Sequence, residues 1–428
     1  MSRAARISRG ISLRMVMEAV IQGGPISRAS IARQTGLSKQ TTSEIARILE
    51  TDGWIQETGR TSGHVGRMAT TYEVVPDAAL FAAVDLGGTK ARTAIADLSC
   101  RIVAEEVEPT APRGGRHVPH QIARMCRAAA RRQDIPFERV RVAVVGVPGV
   151  PERDSGRILM APNIAGLDAF DFASELEDAL DMEVHVENDV NLAVQGENWL
   201  GAGGGADNLA FIALGTGIGA GLVLDGQLVR GAAGAAGELG FLPFGTDALS
   251  QHAQAEGALE RIVATDGIRS RYQERTGRQA TVPAIFDRAD RGDTDAAGVL
   301  DETAEYLARA IVALCALTDP GTVILGGSIG ARVELVGRVR ALLAGAVPTS
   351  VRIEPSALGA RATIAGAAAV ALGHLHNTLF GPDVPEADIT LPPAHIIAFS
   401  DGEEPAAGSA EAGDGDPGRG RTGSEALR

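Results

Sequence analysis

Two stretches of this chain have the residue types of a phosphate cradle. The first, VDLGGTKA at residues 84–91, turns from one apolar run into the next on paired glycines. A Gly87-Gly88 turn lets backbone N–H groups approach a polyphosphate with no side chain in the way. Thr89 adds a hydroxyl, and Asp85 at the strand end is placed to position a magnesium-bound water. The second stretch, LGTGIGAGLVLDG at 214–226, repeats the pattern with Gly215, Thr216 and Gly217. Neither is a P-loop, because GxxxxGK[ST] leading into a helix is absent. Taken singly, each also reads as an ordinary Gly-rich hairpin.

A third stretch suggests different chemistry. Lys90 is one of two lysines in the chain, and the other, Lys39, lies in SKQTTSE. Upstream, Leu13, Val16, Met17, Val20 and Ile21 recur at helical spacing over residues 11–22, and GGP ends that helix. Ser27 then caps a short helix, SRASIARQ, and Ser38 caps a third, KQTTSEIARILE. WIQET and TTYEVVP read as two strands around a basic loop, GRTSGHVGR. Three helices followed by a two-stranded ribbon is the winged helix-turn-helix pattern, whose third helix enters the major groove. Ser38, Lys39, Gln40, Thr41, Thr42 and Ser43 are then candidates for base edges, and Arg60 and Arg67 on the wing for phosphates or the minor groove. The alternative is a small helical bundle that binds protein.

Charge supports the division. Residues 1–75 hold ten Lys+Arg against six Asp+Glu, a balance of +4, while the whole chain carries −14, leaving −18 for the rest. A basic head on an acidic body implies that only the head meets phosphates. The 428 residues, 45% hydrophobic, suffice for two or three domains with cores of their own. Cys100, Cys126 and Cys315 fit no zinc or CxxC spacing and read as reduced, buried thiols. No apolar run approaches the roughly 20 residues of a membrane span, and no signal peptide is evident, so a soluble cytoplasmic protein is expected.

From Val75-Pro76-Asp77 onward, strands alternate with helices, and the order of strands, glycine turn and helices recurs loosely at residue 214. Two similar α/β lobes would place a ligand cleft between them. Residues 401–428 have one aliphatic residue beyond alanine and no aromatic, the composition of a disordered tail.

With the material between the two glycine turns, the chain resembles the ROK family (repressors, open reading frames and sugar kinases) over about residues 10–375. The most specific match is LGTGIGAGLVLDGQLVRGAAGAAGELGF at 214–241, through Gly217, Gly219, Gly221, Gly231, Gly237 and Gly240. The resemblance implies an actin/hexokinase-type, ribonuclease H-like ATPase fold of two lobes at 78–375, behind a DNA-binding head at 1–75. It implies a sugar ligand held by Asn163 of APNIAG, Asn188 and Asp189 of ENDVN, Glu238 of GELG and Glu260 of EGALE. It further implies that Gly326 and Gly327 of ILGG contact adenosine, and that Asp189 is the catalytic base of a kinase. A carboxylate there would accept the proton of a sugar hydroxyl attacking a γ-phosphate. On the residues alone, Asp189 also reads as a helix N-cap, and Asn163 as a turn residue.

The chain departs from the family at the structural zinc, which many members hold with one histidine and three cysteines. Phe241 stands at the histidine position, and GTDALSQHAQAEGALE at 245–260 has no cysteine. His252 cannot make a zinc site alone and reads as a surface residue. No bound metal is expected; Mg-ATP remains possible as a ligand. Three functions follow: a homodimeric or tetrameric repressor answering to operator DNA and to a sugar or sugar phosphate; an ATP-dependent sugar kinase carrying a DNA-binding head; or a scaffold with a vestigial cleft.

Overall fold

The computed structural model describes residues 3–63, 67–152, 154–161, 163–245, 247–346, 350–382 and 384–393, without the side chains of 60–69. The tail at 401–428 and the side chains of Arg60 and Arg67 lie outside that description.

The head contains α1 (Arg3–Gly23), β1 (Ile26–Ser27), α2 (Arg28–Thr35), α3 (Lys39–Thr51), β2 (Ile55–Gly63) and β3 (Arg67–Val74). Ser27 and Ser38 cap α2 and α3 through bonds from Ser30 N and Thr41 N, as expected of serines before short amphipathic runs. Helix α1 starts at Arg3, earlier than the expected residue 11. Its buried Gly10 explains the extension: a methyl there would lie 2.8 Å from Val384 Cγ2, so this turn is packed on the segment near the C-terminus. β1 was not expected; it pairs with β3, Ile26 opposite Tyr72.

The first lobe runs β4 (Leu80–Leu86), β5 (Lys90–Asp97), β6 (Ile102–Pro109), α4 (His117–Arg132), β7 (Val140–Val147), the small pair β8 (Val150–Pro151) and β9 (Ile158–Leu159), α5 (Phe172–Leu180), β10 (Glu183–Asn188) and α6 (Asp189–Leu200). The second runs β11 (Leu209–Leu214), β12 (Ile218–Leu224), β13 (Gln227–Leu228), α7 (Gln251–Glu256), α8 (Glu260–Val263), α9 (Thr265–Thr276), α10 (Val282–Asp290), α11 (Thr294–Thr318), β14 (Thr322–Gly326), α12 (Gly327–Gly330), α13 (Val333–Leu343), β15 (Arg352–Pro355) and α14 (Ala362–Phe380). The sheets are ordered β10-β7-β4-β5-β6 and β13-β12-β11-β14-β15. Numbered within its own lobe, each sheet has the same strand order, 3-2-1-4-5. The first three strands are antiparallel and the last two are added parallel. The recurrence read from the glycine turns is therefore a repeat of topology.

Each lobe sends its last helix to the other. α6 leaves β10 and packs on β11 and β12, whereas α14 leaves β15 and packs on β4 and β7. Where the two helices cross, their backbones touch. A methyl on Gly366 would lie 1.8 Å from Leu192 O, and one on Gly196 2.2 Å from Ala362 O.

α14 also carries the head. His376, buried on α14, bonds through Nε2 to Arg14 O at 3.0 Å, and Trp54 packs edge-on to Phe380 at 5.1 Å. The hydrophobic core is continuous from Val16, Ile45 and Tyr72 through Phe81 to Leu372 and Leu375. α14 runs past residue 375, and the chain after it straps α1 to α6. Arg14 Nη1 donates to Pro385 O, Thr390 N donates to Glu18 Oε1, and Trp199 Nε1 donates to Pro392 O. All three cysteines are buried and free. No helix of the described residues is long and apolar enough to cross a membrane.

Two stability predictions follow from these contacts. Gly366→Val should cost roughly 3 kcal/mol or more in denaturant unfolding, because the clash is with backbone. Gly337→Ala on α13, with nothing within 4 Å of the added carbon, should stabilise by about 0.5–1 kcal/mol. His376 gives a pH dependence. Burial pushes it down to about 4, so it stays neutral in the fold while the unfolded chain protonates near its ordinary value of 6.5. Between those values the unfolded state binds the extra proton, so stability falls as pH falls. The loss should be on the order of 2 kcal/mol at pH 5, read as a falling melting temperature that His376→Gln flattens.

Candidate functional site

The first glycine turn is held open by its own backbone and one neighbour. Gly87 N donates to Lys90 O at 3.0 Å, and Thr110 donates to Gly87 O (Oγ1, 2.6 Å) and Thr89 O (N, 3.1 Å). Gly88 abuts the loop that carries Asn163: a methyl there would lie 2.8 Å from Asn163 Cβ. Asn163 and the turn therefore share a wall of the cleft, and Thr89 projects beside them, exposed. Asp85 is set in the sheet between Arg92 of β5 and Gly146 of β7.

The second turn is built alike. Gly215 N donates to Gly217 O, and Thr265 donates to Gly215 O from both N and Oγ1. Thr216 stands exposed at its tip. A methyl on Gly217 would lie 2.7 Å from Glu260 Oε2, which itself accepts from Ile218 N at 3.0 Å. Gly326 and Gly327 adjoin this turn. A methyl on Gly326 would strike the Phe211 ring at 2.1 Å, and Gly327, at φ 79°, would strike Leu214 O at 2.4 Å. These glycines are required by packing alone, whatever else they contact.

Four carboxylates are linked in a chain, Asp85 and Glu238 acting on Asp189 and Glu260 acting on Glu238. Asp189, first residue of α6, is raised to about 7 by burial first, then by the charge of Asp85, with Glu238 adding to it. Asp85 is raised to about 6 by burial, opposed by Arg92. Burial and Glu260 raise Glu238; burial raises Glu260. The first pair comes from one lobe and the second from the other, so the site is assembled by lobe approach.

The cap of α6 is Asn188. Its Oδ1 accepts from Val190 N and Asn191 N, and its Nδ2 donates to Gly149 O at 2.9 Å. Asn188 therefore holds Asp189 in place and keeps one amide hydrogen for a ligand. Asp189 Oδ1 accepts from Val190 N at 2.9 Å. The sequence reading missed Arg230, whose Nε meets Glu187 Oε2 at 2.6 Å and ties the second lobe to the strand that carries Asn188. A long-range pair of this kind leaves no periodic signal.

Phe241 is 43% exposed at the end of the short turn that follows Glu238. His252 lies on α7, paired with Glu256. This segment supplies one imidazole and no thiolate, a donor set that does not fit a structural zinc. On the head, Ser38, Lys39, Gln40 and Ser43 are exposed and Thr41 is half-buried. Thr42 requires a correction. It is fully buried, with its hydroxyl donated to Ser38 O, so it belongs to the core and cannot reach a base edge. Arg47, one turn on, is exposed instead.

The carboxylates give a testable sign. Asp189 holds its proton in the fold from pH 3.8, where the unfolded chain loses it, up to about 7, so stability falls as pH rises across that window and levels off above it. Asp189→Asn should be on the order of 4 kcal/mol more stable than the native chain at pH 8 and close to neutral at pH 4. Asp85→Asn should lower the pKa of Asp189, measured by NMR titration of the side-chain carboxyl.

Comparison with known proteins places this geometry. A model described as the ROK family matches residues 81–374. A glucokinase of Thermotoga maritima is 28% identical over 268 residues, 59% of this chain and 83% of that one. The DNA-binding transcriptional dual regulator NagC of Escherichia coli is 26% identical over 328 residues, 73% of this chain and 79% of that one. Among solved structures, a ROK family transcriptional regulator described as a homolog of the E. coli MLC protein shares the fold at TM-score 0.73 and 23% identity, covering 89% of this chain and 99% of that one. A ROK glucokinase from Streptomyces griseus, solved with glucose and AMPPNP, gives TM-score 0.60 at 25% identity, covering 68% and 98%. The chain belongs to the ROK family, whose members similar to it include both repressors and sugar kinases.

Proposed function

We propose that this protein is a sugar-responsive transcriptional regulator, a repressor whose winged helix-turn-helix head binds operator DNA and whose cleft binds a sugar or sugar phosphate. The observation that carries the reading is the route from cleft to head. α6 begins at Asp189 in the cleft, crosses α14 backbone to backbone, and α14 holds the head, α1 through His376 and Trp54 through Phe380. A ligand that draws the lobes together changes the angle of that crossing and with it the seating of α1. Differential affinity for the two lobe arrangements is what the ligand must supply. The exposed Lys39, Gln40 and Ser43 at the start of α3 face bases in this reading, and the exposed Arg3, Arg6 and Arg9 of α1 meet phosphates. The protein acts as a homodimer on two half-sites.

A second reading, an ATP-dependent sugar kinase with a DNA-binding head, is favoured by one observation. Asp189 is held near 7, where a general base is most effective at neutral pH, between glycine turns that admit a polyphosphate. The residues fit Mg-ATP: Asp85 would orient the magnesium, the turns at 87–88 and 215–217 would receive the phosphates, and ATP would supply the phosphoryl group.

Gel shifts with DNA flanking the gene, with and without a panel of sugars, separate the readings. Lys39→Ala with Gln40→Ala should weaken operator binding more than tenfold and leave sugar binding intact. No retarded fragment at moderate salt would defeat the regulator. Sugar-dependent ATP consumption that vanishes in Asp189→Ala would establish the kinase.

A further inference from the structure

Away from the cleft, the described residues bring together a second set of donors. Glu183 and His185 lie two apart on the edge strand β10, and His374 reaches them from α14. His185 Nε2 stands 2.9 Å from His374 Nδ1. His374 Nε2 is 3.0 Å from Glu183 Oε2, and His185 Nε2 is 3.4 Å from Glu183 Oε1. The two rings are inclined by 58° and meet nitrogen to nitrogen, so stacking does not explain the contact. Ligand atoms bound at ~2.1 Å around a tetrahedral ion stand ~3.4 Å apart. Taken one ligand atom per residue, the donors of the three side chains all lie within 4.8 Å of one another, so a turn of the His374 ring that points one nitrogen between His185 and Glu183 closes the set to that spacing.

We propose that Glu183, His185 and His374 form a site for a late first-row divalent metal ion, with zinc as its natural occupant, that clamps α14 to the edge of the first sheet. Two imidazoles and one carboxylate select against magnesium and calcium, which take oxygen ligands, and suit zinc with water or a further carboxylate in the fourth position. The surroundings favour a cation: besides Glu183, the carboxylates of Glu386, on the strap after α14, and Glu177, on α5, act on His185. Burial, then His374, hold His185 below its ordinary range, so it is a neutral ligand at pH 7. Without the ion, the His185 N–H donates to His374 and the His374 N–H to Glu183, a chain that keeps the rings in position. On binding, His185 moves its proton to Nδ1, and His374 turns one nitrogen to the ion.

The site is separate from both chemistries already described. His185 is four residues before Asp189, about 13 Å along an extended strand. The segment at 241–260, unfit for zinc, is in the other lobe. His374 is one residue from Leu375 in the shared core and two from His376, which holds α1. The ion would thus stiffen the helix on which the head is mounted.

The test uses untagged, EDTA-treated full-length protein titrated with zinc chloride alone, so it does not depend on the regulator reading. One ion per chain should bind, with a melting-temperature rise of several degrees. His185→Gln and His374→Gln should each weaken binding at least about tenfold and abolish the rise. Cobalt substitution should give the visible bands of a four-coordinate N/O site, lost in both variants. Substoichiometric binding at micromolar zinc, or equal affinity in the native chain and both variants, overturns the proposal; the latter would place the ion on His117, His120 or His252. Glu183→Gln, on an exposed strand position, repeats the test if a histidine variant does not fold.

Discussion

The structure depends on one close contact, the backbone crossing of α6 and α14. Each helix belongs by sequence to one lobe and by packing to the other. Gly196 and Gly366 let the helices approach until carbonyls lie where methyl groups would otherwise be. Glu197, fully buried next to Gly196, secures the same junction: its carboxylate accepts from Ser356 Oγ, Leu358 N and Ala202 N. A contact this close cannot slide gradually, because packed backbone has few alternative registers. It can rotate, and rotation at a crossing point opens or closes the lobes on either side. The cleft is thus the consequence of a swap of terminal helices between two copies of one topology.

That arrangement explains why the cleft tolerates four mutually repelling carboxylates. Asp85 and Asp189 come from one lobe, Glu238 and Glu260 from the other. Burial raises all of them, and charge adds to it at Asp189, from Asp85 and Glu238, and at Glu238, from Glu260. A polyol offers hydroxyl donors to every one of these oxygens, and a magnesium ion offers charge. The Arg230–Glu187 pair, beside this cluster, gives the lobes one attractive contact of their own.

Much of this was legible in the sequence, and the gaps have physical causes. Apolar runs on either side of the first turn gave β4 and β5, serine caps gave α2 and α3, and glycines marked both turns. α14 escaped because ATIAGAAAVALGHLHNTLF is buried almost all round, and a helix without a polar face has no period to read. Thr42 looked like a surface hydroxyl, but its methyl faces the core and its oxygen bonds to the preceding turn. Asp189 and Asn188 are adjacent and both able to cap; only the bond directions show that the asparagine caps and the aspartate stays available. The proximity of Gly217 to Glu260, and of Gly88 to Asn163, needs the third dimension, since no local pattern links residues so far apart.

The head is built onto the first lobe without a boundary between their cores. Its core is continuous with that of the first lobe, and the covering surface is the outer face of α14, already fixed by the crossing. The strap at 384–393 then binds α1 to α6 as well, through Glu18 and Trp199. The head is therefore anchored to both hinge helices, and any relative rotation of the two must be shared between α1 and the strap. His376 is the stiff point of that joint: buried, held neutral, and with Nδ1 left without a partner while Nε2 holds the Arg14 carbonyl. An unpartnered buried nitrogen costs stability. It sits on the helix that packs against β4 and β7, crosses α6 and carries α1, so that cost falls where the head meets the body.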